Sequence, residues 1–123
     1  AAAASLDIER LKAIHAAVPI PLVLHGSSGV KEESEVEAID YGIAKINVAT
    51  MLNQAFTNAM RKALADMPKE VDPRKILIVG REAVKETVRH KMRLFRSSGT
   101  VNASGFVSPK KVFAKVELGG AEA

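Results

Sequence analysis

Pro21-Leu22-Val23-Leu24-His25-Gly26-Ser27-Ser28-Gly29 and Lys45-Ile46-Asn47-Val48-Ala49-Thr50 decide how this chain is read. Each is a short apolar run that ends in polar residues suited to binding. The first ends in a histidine and a small Gly/Ser-rich turn. The second ends in Asn-x-x-Thr. A stretch with helical spacing follows each one. That is the layout of two consecutive βα units whose strand C-termini carry ligand groups, and in α/β sheets and barrels ligands bind at that end. A shared site requires the two strand ends to face one another.

The flanking sequence supports this layout. Leu6 to Val18 carries a helical stripe in Leu11, Ile14 and Val18, with Ser5 or Asp7 placed to cap its start. Pro19 and Pro21 stop that helix and pre-set an extended chain. Leu22-Val23-Leu24 is apolar on both faces, the pattern of a buried parallel strand. Lys31 to Tyr41 predicts a second helix with Val36 and Ile39 inward and Gly42 at its end. Ile43 to Val48 is the second strand. Thr50 is placed to cap a third helix, in which Leu52, Ala55, Phe56, Ala59, Met60, Ala63 and Leu64 form a broad apolar face. Pro68 ends it. Asp72-Pro73 starts a fourth helix, an N-cap followed by proline at the first helical position. It runs to about Phe95 with Val84, Val88, Met92 and Phe95 inward.

The order α-β-α-β-α-α predicts an α/β fold with parallel strands. Two parallel strands are not a stable unit alone, so the pattern reads as part of something larger. Both sheet edges and the Leu52–Leu64 face predict packing against further chain or against copies of itself. Beyond Arg96 the character changes. Ser97-Ser98-Gly99 and Asn102-Ala103-Ser104-Gly105 read as loops, and Lys110 to Leu118 alternates as a strand does.

Composition narrows the function classes. The 123 residues and 13.2 kDa allow one domain at most, and a closed (β/α)8 barrel of ~250 residues does not fit. There are no cysteines, so no disulfide framework or thiolate metal site exists, a pattern compatible with a cytoplasmic protein. No apolar stretch approaches the ~20 residues that span a bilayer. Ala1–Ala4 lacks the basic start of a signal peptide. The net charge of +4 concentrates between Arg74 and Arg96, where Arg74, Lys75, Arg81, Lys85, Arg89, Lys91, Arg93 and Arg96 face Glu82 and Glu86. Such a run is an anion site or a solvated helix face, and the second is the more frequent. With no Trp and one Tyr, the chain lacks a stacking platform, which argues against a nucleic-acid partner.

Three groups carry candidate chemistry. His25 follows a strand directly, so a neutral imidazole there is placed to ligate zinc, although a catalytic zinc needs three protein ligands. His15 and His90 lie within helices, where packing or surface roles are the ordinary reading. Gly26-Ser27-Ser28-Gly29 offers backbone N–H and hydroxyl donors before a helix; it reads equally as a phosphate loop or as a βα turn with a Ser cap. Asn47 can donate to and accept from substrate oxygens, and Thr50 can bond a phosphate through hydroxyl and N–H.

Together, Ile20–Val30, Gly42–Thr50, Asp72-Pro73-Arg74-Lys75 and Arg81–Lys85 resemble the C-terminal part of class II, zinc-dependent fructose-bisphosphate aldolases and the related tagatose-bisphosphate aldolases. The resemblance covers about Leu6 to Gly99. It implies that residues 1–99 are the C-terminal portion of a (β/α)8 TIM barrel, the last two βα units plus the C-terminal helices, with 100–123 an extension of unknown role. It also implies cleavage of a ketose bisphosphate into dihydroxyacetone phosphate and an aldehyde. His25 is then a zinc ligand, and Gly26, Ser27, Ser28, Asn47, Ala49 and Thr50 bind the substrate. Gly26 also lies near a monovalent-cation site (Na+ or K+). No catalytic acid or base of the family matches this chain, so the remainder of the barrel, and a homo-oligomer, are the implied partners. The chain departs from the family pattern at Ser27, Ala49, Asn53 and Arg96. Asn53 stands where many members carry a cation for the far phosphate, and Arg96 where glycine is usual. The other reading is a non-catalytic α/β module that binds a sugar phosphate or a partner chain.

Overall fold

The computed structural model describes residues 3–100. The order is α1 (Ile8–Ala17), β1 (Leu22–Leu24), a 3-10 turn (Ser27–Gly29), α2 (Glu32–Asp40), β2 (Ile43–Ile46), α3 (Thr50–Asp66) and α4 (Pro73–Leu94). The candidate strand Lys110–Leu118 and nearly all of the 100–123 extension lie outside the described residues.

Capping chemistry explains where the helices begin. Asp7, not Ser5, starts α1: its carboxylate accepts from Arg10 N at 2.9 Å. Asp72 accepts from Arg74 N at 3.0 Å, with Pro73 at the first helical position of α4. The other two helices differ from expectation. Ala49 takes the N-cap position of α3, so Thr50 is already helical and no side chain caps the end. Lys31, rather than a serine, precedes α2, again without a side-chain cap.

β1 and β2 pair in parallel, with Leu22 opposite Ile43, Val23 opposite Lys45 and Leu24 opposite Ile46. α2 is the crossover between them. Upstream, Ala4 bridges to the segment before α2: Ala4 N donates to Gly29 O at 2.8 Å, and Lys31 N donates to Ala4 O at 2.9 Å. β1 is not buried on both faces, as its composition suggested. Leu24 and Ile43 share a groove with Leu6, Leu11 and Ile14. Strand alternation leaves Val23 on the other face, 43% exposed.

Among the described residues the buried apolar core comprises Ala38, Ile43 and Ala63, while Ile20, Leu64, Val71 and Leu77 remain exposed. α3 and α4 form a helical hairpin at close approach. A Cβ at Gly80 would lie 2.6 Å from the Phe56 ring, so glycine at this point lets the two helices meet. Among the described residues, no helix is long and apolar enough to cross a membrane.

Candidate functional site

Parallel pairing brings His25 and Asn47, the residues that follow β1 and β2, side by side. Asn47 N donates to Leu24 O at 3.0 Å, extending the strand ladder by one step. The Asn47 carboxamide Nδ2 lies 2.9 Å from His25 Nδ1. Beneath them, Ser27 is 2% exposed and its hydroxyl donates to Asn47 O at 2.9 Å. Gly26 makes this possible. Its φ of 70° lies in the left-handed region, which turns the chain so that Ser27 reaches under the second strand. The two strand ends therefore form one constellation, tied by three hydrogen bonds.

Ala49 and Thr50 follow at the exposed start of α3. Ala49 O accepts from Leu52 N and Asn53 N. The N–H groups at the very start of a helix have no partner within it. With no side-chain cap and no charged residue from Thr50 to Met60, this end presents free N–H donors and the positive end of the helix dipole. Gly26 and Ser28, on the facing loop, are likewise exposed. The start of α2 differs, because Glu32, Glu33 and Glu35 fill its first turn and repel an anion. Ser27 alone among the candidate residues is buried, and its hydroxyl acts as a tie rather than an open donor.

The imidazole offers one metal donor. With the carboxamide NH2 toward Nδ1, the neutral ring carries its proton on Nε2. The reversed carboxamide would accept from Nδ1–H and leave the Nε2 lone pair free for a metal. Among the described residues, no three His, Cys, Asp or Glu side chains come together as a metal-binding group. His25 therefore offers a single donor, short of the three protein ligands that a catalytic zinc takes.

Comparison with known proteins decides the kinship. The family model of class-II fructose-bisphosphate aldolase matches residues 1–100. The chain belongs to that family. It is also similar to the crystal structure of the YdjI aldolase from Escherichia coli K12, at 40% identity and a TM-score of 0.67, over 79% of this chain. It spans 35% of the length of that protein.

The other histidines of this aldolase chain serve packing and surface contacts. The His15 ring lies against Gly42, and His90 Nε2 bonds the Glu32 carboxylate at 2.8 and 3.0 Å. The basic run of α4 is largely an ion-paired face. Arg74 meets Asp72, Lys75 meets Glu70, Arg81 and Lys85 meet Glu82, and Arg89 meets Glu86. Two of these carboxylates, Asp72 and Glu70, lie before the run, and the arrangement is that of a solvated helix face.

One buried group escaped the sequence reading. Glu35 of α2 is fully buried and Lys91 of α4 is 5% exposed, with Lys91 Nζ 2.8 Å from Glu35 Oε2 and 3.1 Å from Glu32 Oε1. Burial works against the Lys91 charge, but hydrogen bonds to Glu35 and Glu32 outweigh it and hold the ammonium above its usual range. Burial likewise opposes ionisation of Glu32, yet hydrogen bonds from His90 and Lys91 bring its carboxyl below the usual value. The available signal was spacing: Glu32 and Glu35 share a helix face with Ala38.

Proposed function

We propose that residues 1–99 are the C-terminal part of a class II aldolase (β/α)8 barrel, comprising its last two βα units and C-terminal helices. The whole protein is then an aldehyde-lyase. It cleaves fructose 1,6-bisphosphate or tagatose 1,6-bisphosphate reversibly to dihydroxyacetone phosphate and glyceraldehyde 3-phosphate. Family membership supports the reaction class. The observation that carries the site is the 2.9 Å approach of Asn47 Nδ2 to His25 Nδ1 at adjoining strand ends, beside an uncapped helix start.

In this reading His25 is one ligand of a zinc ion, and the remainder of the barrel supplies the others. Bound zinc contributes Lewis-acid polarisation of the substrate ketone. The chain's own residues bind and orient. Gly26 and Ser28 on one side, with Ala49 and Thr50 on the other, offer N–H and hydroxyl donors to the dihydroxyacetone-phosphate phosphate. Gly26 also borders the place for a monovalent cation (Na+ or K+). Asn47, with both a donor and an acceptor on one carboxamide, orients the substrate hydroxyl and carbonyl oxygens. Ser27 sets the Asn47 backbone from below. No residue here acts as catalytic acid or base; that proton transfer belongs to the rest of the barrel. Asn53, exposed on the first turn of α3, is neutral and does not supply the cation that many family members place there for a phosphate on the aldehyde half.

In the complete enzyme, His25→Ala should abolish aldol cleavage and lower bound zinc, read by activity and metal analysis. Retained activity overturns the assignment. Ser28→Ala and Thr50→Ala should each weaken phosphate-ligand binding by about 1.5–3 kcal/mol, the usual worth of a hydrogen bond to a charged group. Phosphate binding without cleavage by the complete protein would favour the non-catalytic module.

A further inference from the structure

The hydrogen bonds around Asn47 tie Leu24, His25 and Ser27 to the end of β2, but none of them reaches α3, which starts at Thr50 after its N-cap Ala49. α3 packs on α4, and α4 returns to α2, which begins three residues after the turn Ser27–Gly29. The return is charged. Lys91 reaches Glu35 and Glu32, His90 reaches Glu32, and Arg96 reaches Asp40. These rungs run the length of α2.

We propose that the Glu35–Lys91 pair is a positioning latch: it locks the α3/α4 hairpin in one register on α2, and so sets the gap between the Gly26–Gly29 turn and the first turn of α3. The inference rests on the proposed phosphate site, which spans that gap.

Two observations separate a latch from mere space-filling. Among the described residues, Glu35 Oε1 is buried without a hydrogen-bond partner. A buried carboxylate with one free oxygen is a poor way to fill a junction, since apolar residues of similar size are often as stable or more so. What the pair adds is direction. Lys91 Nζ sits between two carboxylates at 2.8 and 3.1 Å, so sliding or rotating α4 would strand buried charge. An apolar contact tolerates such slips, and charge pairs specify register.

The test titrates the complete protein with inorganic phosphate and follows the amide resonances of Gly26, Ser28 and Thr50. Thermal midpoint and far-UV circular dichroism are recorded in parallel. Glu35→Gln and Lys91→Met should each weaken phosphate binding at least tenfold while helical content is kept. The double variant Glu35→Met/Lys91→Met should regain thermal stability but not phosphate affinity. Unchanged affinity in Glu35→Gln overturns the latch, as does full recovery of affinity in the double variant, which would make the pair simple packing. Where Lys91→Met fails to fold, the near-isosteric Glu35→Gln decides. Absence of phosphate binding at these amides in the wild-type chain overturns the site reading and the latch with it. Normal wild-type binding with unaffected variants overturns the latch alone.

Discussion

α4 is held on two flanks by opposite chemistries. Against α3 it packs as helix on helix, with Gly80 pressed to the Phe56 ring and close to Met60 Sδ. Against α2 it is held by Glu35, Glu32 and Asp40 through Lys91, His90 and Arg96. The first junction depends on shape and is indifferent to salt and pH. The second depends on charge, and charge is directional and conditional. With few buried apolar residues among those described, these helices place their register in an ion pair and their packing in a helical hairpin.

The contrast breaks most visibly at Lys91. Lys91→Met leaves Glu35 buried without its cation, and removing one member of a buried pair costs about 3–5 kcal/mol. Denaturant unfolding should show that loss, and much of it should return in Glu35→Met/Lys91→Met. Acid probes the same flank. Glu32 titrates below its usual value in the folded chain, so its stabilisation is complete above the unfolded carboxyl value. That stabilisation is lost as pH falls through the depressed folded value. Lys91 titrates above its usual value, so its contribution persists through neutral pH and fails only in strong alkali. Unfolding midpoints measured from pH 7 downward should therefore fall in the wild type and fall less in the Met/Met variant.

On the other flank, Gly80→Ala places a methyl 2.6 Å from the Phe56 ring. Overpacking of that kind costs about 1–3 kcal/mol, and the loss should be the same in low and high salt. A salt-dependent loss would mean that the two flanks are not independent.

The smallest effect is expected at Arg96. It follows α4 with a φ of 57°, and Ser97 N donates to Met92 O in the turn that ends the helix. That position favours glycine, because a side chain in the left-handed region costs about 1 kcal/mol. Arg96→Gly removes the strain but also the exposed pair with Asp40, worth about 0–1 kcal/mol. The net change should be a stabilisation below about 1 kcal/mol, detectable as a small rise in thermal midpoint. A clear destabilisation would show that Asp40–Arg96 is a working rung of the charged flank.

The positions of the four main helices and both strands were legible in the sequence, because apolar spacing and punctuation by Pro, Gly and Asp are local. So was the site. His25 and Asn47 each follow a short apolar run, and consecutive βα units put such residues at one end of a sheet. Other features were misread for equally physical reasons. Thr50 looked like a helix cap, but the choice between Ala49 and Thr50 depends on how the chain leaves β2. Val23 looked buried, but burial of a strand's second face depends on what covers it.

Local sequence thus determined the parallel βα order, the strand-end residues and the family. Only the tertiary structure decided that Asn47 meets His25, that Ser27 is a buried tie instead of an open donor, and that Glu35 and Lys91 share a buried contact. Each of these joins residues 20 to 56 positions apart. The energy of such a pair depends on burial and on distances of about 3 Å, which residue order does not encode and packing alone supplies.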